Sequence, residues 1–505
     1  MAVIDVPITP WAPDLPALGS SAFTRIHNAT AARGASQGTI SLNPLKSASL
    51  YSNTSMDSRP IGSAIGKDKD GNAKVYGGCA EKLYKLSPVD REWTDVSRSG
   101  GYTTSPAEKW KSVPFGSLQI FTNFSNEIQY IDMDVDTGFQ NLTTLVKARH
   151  IAEFMGFVIV GNTFDALDGN RPGRVRWSGI EAPGSWDYSA ATMADFQDLN
   201  SMGNINGIVV DDQCWILLET GIQQMQFVGA PFAFSFTPRV VGKGCSVAES
   251  VVTVAGGRHI FLSDDGWYML AGGQLTPIGG DINQWFLDTA DLTQAHLMTT
   301  CIDPRETIVM WSFVSKDAQT SVPDTLLIWN YETGAWTTAD ATAAFIFNAL
   351  SLPTTIDALD SYGTLDDVPA SFDDPIWAGG KSLLFGLNET GAVYSFSGKT
   401  LPLSIETPEY QLSKIVPNET GADITRIDAA RPLFEGGDGK ARIQVGTRSL
   451  TNADVSWSDM KETHPETGFA YLRSQSRYQR FRATISGEWT RVMGLQIDAK
   501  AVGRR

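Results

Sequence analysis

The sequence predicts an all-β chain: a β-propeller of about 6–8 blades, preceded by an extended N-terminal arm and followed by an additional C-terminal β module. Three observations predict it. Short apolar or alternating runs recur in pairs, each pair split by a Gly/Asn/Asp turn. Of 505 residues, 47 are Gly and 14 are Trp while only 19% are charged, a balance that suits many short strands joined by tight turns. Helical signals are few and short, at 190–199, 283–287 and 291–296.

The paired runs follow one another in order. Lys74–Tyr76 leads through Gly77-Gly78 to Lys82–Leu86. Leu118–Asn123 pairs across Ser125-Asn126 with Ile128–Met133. Gly156–Gly161 pairs across Asp168-Gly169-Asn170 with Arg174–Ser178, and Cys214–Leu218 across Thr220-Gly221 with Gln223–Val228. His259–Leu262 pairs across Asp264–Gly266 with Trp267–Leu270. Thr325–Trp329 pairs across Glu332-Thr333-Gly334 with Ala335–Thr338, and Leu383–Gly386 across Asn388–Gly391 with Ala392–Phe396. Such turns supply the positive φ that tight hairpins need. Unrelated hairpins in a sandwich are the simpler alternative. A radial array is preferred because the unit recurs over more than 300 residues, at intervals of about 40–65 typical of blades with insertions. It also protects strand edges that an open sheet leaves exposed.

The flanks differ from this repeat. Residues 1–50 are rich in Pro, Ala, Ser and Gly with weak periodicity, and read as an extended arm that orders against another surface. The propeller is assigned to 51–400. Within it, 351–376 carries six aspartates and no Lys or Arg, an acidic insertion between two hairpins. Residues 401–505 hold less regular strands (425–433, 441–445, 481–485, 492–498) that either close the propeller or form a separate module.

The N-terminus has Asp5 where a signal peptide carries a basic residue, and no apolar h-region follows. The strongest apolar run, Phe154–Val160, is far short of the roughly 20 residues that span a bilayer. No membrane partner is therefore expected, and the protein is expected to be made in a cytoplasm. Cys79, Cys214, Cys245 and Cys301 form no C-x-x-C pair and read as reduced, buried small hydrophobes.

No catalytic constellation stands out. The sequence has no H-E-x-x-H, no G-x-S-x-G and no histidine pair at helical metal-ligand spacing. Gly62-Ser-Ala-Ile-Gly66-Lys67 has one residue too few for a P-loop, with Asp68 where magnesium needs a hydroxyl, and Gly242-Lys-Gly244 lacks the third glycine of a dinucleotide loop. Ser263-Asp-Asp-Gly-Trp267 misses the Asp-box spacing of sialidases. No cofactor and no enzymatic activity are expected. Asp132, Asp134 and Asp136 alternate with Ile131, Met133 and Val135, so they suit either a hard cation or, more simply, the outward face of a strand.

The net charge is −16, unevenly distributed. Residues 471–505 hold eight basic and two acidic side chains, a net +6 that leaves −22 for residues 1–470. Such acidity argues against general binding to nucleic-acid phosphates. Arg480 and Arg482 share one strand face, with Phe481 and Ala483 opposite. With Arg473 and Arg477 they are candidates either for a subunit or partner interface or for an ordinary basic surface strand.

Several motifs, in order, resemble tail nozzle or tail hub proteins of short-tailed bacteriophages. Gly173-Arg-Val-Arg-Trp177-Ser-Gly followed by Ala182-Pro-Gly-Ser-Trp186 is similar to the family's "R-x-x-W-S … P-x-x-W" signature, which makes Arg174, Arg176, Trp177 and Trp186 its structural residues here. Residues 214–228 and 242–270 resemble the strand pairs that follow. Trp11-Ala-Pro-Asp-Leu-Pro resembles the N-terminal arm, and Ser476-Arg-Tyr-Gln-Arg-Phe-Arg with Trp489 and Gly494 the end. Residues 351–376 match nothing in it. The resemblance implies a structural virion protein forming a homohexameric ring below the portal and adaptor. Such a ring extends the DNA channel, retains the genome until ejection, anchors fibres or a tip, and lets DNA pass without specific binding. Surplus carboxylate on its wall would repel phosphates over about 8–10 Å. Two alternatives remain open from sequence, a propeller-fold glycan hydrolase and a carbohydrate-binding tail protein.

Overall fold

The computed structural model describes residues 2–503 except 136–137, 231, 342, 351–381 and 416–423; the acidic insertion and Asp136 thus lie outside the described residues. Among the described residues seven antiparallel four-strand units follow one another, the last completed by a strand from the N-terminal arm. Blade one spans Gly62–Asp95, blade two Lys111–Thr143, blade three Val146–Asp198 and blade four Ile205–Val241. Blade five spans Val247–Pro277, blade six Thr299–Asp340 and blade seven Phe345–Ser395. Each of the seven hairpins read from the sequence lies in one blade. Their first strands touch in sequence order, and the first strand of blade seven returns to that of blade one, so the array closes.

Among the described residues a buried cluster fills each of the seven gaps between blades, and the one between blades five and six continues into the C-terminal module. Tyr76, Phe121, Ile131 and Phe139 join blades one and two, whereas Val75, Tyr84, Phe347 and Phe385 close blade one against blade seven. Between blades five and six Trp267 meets Trp311 at 4.5 Å between ring centroids, and Trp336 stacks on Trp311 and Trp329. These rings are fully or nearly fully buried, which accounts for the many tryptophans. Fully burying a side chain of this kind stabilises by roughly 1.5–3 kcal/mol, so the interblade clusters, not the hairpins alone, hold the ring shut.

The N-terminal arm finds its surface within the same chain. Ser49–Leu50 pairs with Val393–Ser395 as the outer strand of blade seven. Ala2–Pro7 and Ile40–Pro44 pair with the C-terminal strand Arg491–Gly503, which also pairs with Ile424–Glu435. Arg25–His27 lies between the outer strand of blade six, Trp336–Asp340, and Leu403–Glu406. Leu403–Glu406 pairs on with Tyr478–Ser486, and that strand with Lys440–Arg448. One ten-stranded sheet thereby runs from blade six into the C-terminal module. The module is a sandwich whose two sheets share one core, with Ile427, Leu495 and Ile497 on one side and Ile405, Ile443 and Phe481 on the other.

Residues 283–289 form an α-helix and 292–297 a 3₁₀-helix. Asp14 of the arm accepts the Gln284 and Trp285 backbone N–H groups at the first of these. The helix expected at 190–199 is absent: Asp195–Asp198 is the outer strand of blade three, because its backbone pairs with Arg174–Trp177. All four cysteines are free and buried. No helix among the described residues is long and apolar enough to cross a membrane.

Candidate functional site

Arg174 and Arg176 of blade three, singled out in the sequence, form a buried ionic network. Alternation along Gly169–Trp177 sends Val175 and Trp177 into the core shared with blade four and turns Arg174 and Arg176 the other way. Arg174 donates to Asp198 at 2.6 and 3.0 Å and to Asp168 at 2.5 Å, with Phe196 beneath its guanidinium at 3.8 Å. Arg176 donates to Asp165 at 2.5 Å and to the Trp186 carbonyl at 2.6 Å, and lies over Tyr188. Burial alone would raise the Asp165 carboxyl. The Leu167 backbone N–H and the Arg176 charge outweigh it and hold the group below the usual carboxylate range. Trp186 packs between blades two and three, and Trp177 Nε1 donates to the Met193 carbonyl at 2.8 Å. The arginines therefore pin the loop 179–194 onto the blade and present no open face to a ligand.

The C-terminal arginines divide into two pairs. Arg480 and Arg482 both pair with the buried Glu406, at 3.0 and 2.7 Å, and both lie over Trp457. Their charge is engaged within the chain. Arg473 is exposed and Arg477 half-buried, and neither guanidinium has an ion-pair or hydrogen-bond partner among the described residues. At the other sequence candidate, Asp132 accepts the Asp134 backbone N–H at 3.0 Å and Asp134 the Lys69 backbone N–H at 2.7 Å. Both carboxylates thus shape turns. No group of three His, Cys, Asp or Glu suited to a metal occurs among the described residues.

A site that the sequence did not signal lies on the propeller axis. The innermost strands of blades one, two, five, six and seven line a cavity of about 390 Å³. A second cavity of about 240 Å³ adds His150 of blade three, Asn206 of blade four and His296. Lys109, Lys111 and Glu249 line both. Lys111 Nζ donates to Glu249 Oε2 at 2.7 Å, and Lys109 Nζ stands 3.5 Å from the same oxygen while donating to the Met298 carbonyl at 2.5 Å. At the rim Glu108 accepts a forked pair from Arg149. Burial pushes the Lys109 amine down to about 8 and the His150 imidazole down to about 3. Burial would raise Glu249, but Lys111 and Lys109 hold it at about 2. Glu249 and Lys111 are 138 residues apart, and no local pattern links them.

A polar cleft opens between blades four and five. The buried His259 joins Asp211 through Nε2 at 3.0 Å and Thr253 through Nδ1 at 2.8 Å, and Trp215 also donates to Asp211. This hydrogen-bond chain staples the two blades. Trp215 is only 3% exposed, so its ring offers no stacking platform to a sugar.

No family model and no curated protein matches the chain. Solved structures do. The extracellular domain of a putative hybrid two-component system from B. thetaiotaomicron is 10% identical with a TM-score of 0.42; 85% of this chain is covered but only 48% of that one. BamB from Moraxella catarrhalis is 14% identical with a TM-score of 0.35, covering 78% of this chain and 97% of that. An exo-β-1,3-galactanase from Phanerochaete chrysosporium is 9% identical with a TM-score of 0.25, covering 90% and 99%. Likeness at this level carries no argument about activity, ligand or partner. One expectation is corrected all the same: the exclusion of enzymatic activity does not stand, because a propeller-like fold is specific neither to enzymes nor to non-enzymes.

Proposed function

We propose that the chain is a structural subunit of a short phage tail, a nozzle or hub that assembles as a ring below the portal and adaptor, carries DNA through its opening and anchors fibres or a tip. The reading rests on the ordered motifs of residues 11–16, 173–186, 214–228, 242–270 and 476–494. The observation that carries it furthest is the way both ends of the chain join one sandwich, itself fused to blade six through a single ten-stranded sheet. A closed ring of identical subunits needs a heterologous contact repeated at a fixed angle, and a continuous sheet between two modules supplies that rigidity. Arg473 and Arg477, whose side chains have no ion-pair partner among the described residues, suit a neighbour's carboxylates, which the acidic remainder of the chain has in excess.

Negative-stain imaging and mass photometry of the purified protein test the reading. A closed ring with an axial opening is expected, and Arg473→Glu with Arg477→Glu should shift it toward monomers without changing monomer stability. A lone monomer that hydrolyses glycans would replace this reading with the glycan-hydrolase alternative.

A further inference from the structure

We propose that the axial chamber of the propeller is a binding site for a small oxyanion of the phosphate class, held by Lys109 and Lys111 with Glu249 as its internal stand-in. The charges at the chamber are unbalanced. Glu108 and Arg149 satisfy each other at the rim. That leaves two ammonium groups sharing one carboxylate oxygen and one backbone carbonyl, with Arg59 near enough to Lys109 to lower its amine further. The side chains of Lys109 and Glu249 are 10% and 17% exposed, so water screens them weakly. Uncompensated buried charge is costly, and an anion between the two amines removes the imbalance through charge-assisted hydrogen bonds. The imidazole of His296, which has no hydrogen-bond partner among the described residues, and Asn206, which donates to the Cys245 carbonyl, line the same space.

The dimensions agree. The 240 Å³ cavity accommodates a tetrahedral oxyanion with several waters, each taking about 30 Å³. The location also distinguishes this site from the acidic exterior: in a chain of net charge −16, the seven inner strands converge on a patch of net positive charge. Glu249 occupies the place that the anion would take, so it competes with it.

The test is binding of inorganic phosphate to the whole chain, by calorimetry and by thermal shift against chloride at equal ionic strength. The wild type should bind. Glu249→Gln, which keeps the lysines and removes the competitor, should bind about tenfold tighter and show the larger thermal shift, whereas Lys109→Met should bind about tenfold weaker. Should Lys109→Met fail to fold, the sign of the Glu249→Gln effect decides. Should Glu249→Gln fold only with phosphate present, that supports the site; failure to fold in phosphate overturns it. Adenosine monophosphate, tried alongside, separates the sources: tighter binding than phosphate assigns the site to a phosphate monoester, equal or weaker binding to the free ion. No binding to the wild type, or equal binding to all three proteins, overturns the proposal.

Discussion

Asp165 is the residue whose loss should be felt most sharply. Its carboxylate is 1% exposed and accepts from Arg176 at 2.5 Å, from the Leu167 backbone at 2.9 Å and from the Tyr188 hydroxyl at 3.2 Å. Asp165→Leu leaves Arg176, itself 4% exposed on its side chain, with only carbonyl acceptors from Leu145 and Trp186. Removing one partner of a buried pair costs about 3–5 kcal/mol. Arg174 adds little to that figure, because it keeps Asp198 and Asp168. With about 2 cal/mol/K of unfolding entropy per residue, a chain this long melting as one unit would shift by only about 1 °C per kcal/mol. Urea unfolding followed by tryptophan fluorescence is therefore the better assay, with Trp177 and Trp186 beside the site among the fourteen tryptophans that report. Arg176→Leu alone should cost a comparable amount. The double variant removes the orphaned charge, so it should cost about 2–3 kcal/mol less than the sum of the singles. A single Asp165→Leu cost below about 1 kcal/mol, or additive singles, would refute the claim that this network holds the loop 179–194 to blade three.

Two further outcomes follow from the same geometry. The folded His150 imidazole is lowered by burial to about 3, so it stays neutral while the unfolded group titrates near 6.5. Stability is thus full above about pH 6.5 and falls as pH drops toward 3, by about 1.4 kcal/mol per unit. Urea midpoints between pH 7 and 4.5 should show it, and His150→Leu should flatten the slope without abolishing it, since burial lowers His259 and His296 as well. At the glycine pair 242 and 244, a Cβ on Gly244 would stand 2.0 Å from the Leu218 carbonyl oxygen, whereas Gly242 faces open space at φ +86°. Gly244→Ala should cost about 3 kcal/mol or more and Gly242→Ala about 1; equal urea midpoints would contradict this.

Much of the fold was legible because hairpins are local. The runs 214–218 and 223–228 announce a strand, a turn and a strand within fifteen residues, and such units recur seven times. The Asp195–Asp198 strand was missed because only its pairing with Arg174–Trp177 makes it one. The arm was recognised as extended, yet its partners lie hundreds of residues away: Ala2–Pro7 against Gly494–Ala499, and Ser49–Leu50 against Tyr394 and Ser395. Arg174 and Arg176 could be singled out because they stand two residues apart on one strand face. Nothing local pointed to Asp165 as the carboxylate between them.

The sequence by itself determined the all-β class, the seven hairpin units and the excess of acid, because alternation, turn chemistry and composition are written in neighbouring residues. Only the tertiary structure decided that both termini share one sandwich, that Arg480 and Arg482 turn inward to Glu406, and that Lys109, Lys111 and Glu249 meet on the axis. The physical reason is closure. Bringing blade seven back to blade one places seven distant strands around a single line, and charges that were independent along the chain become neighbours in a space where water screens them little.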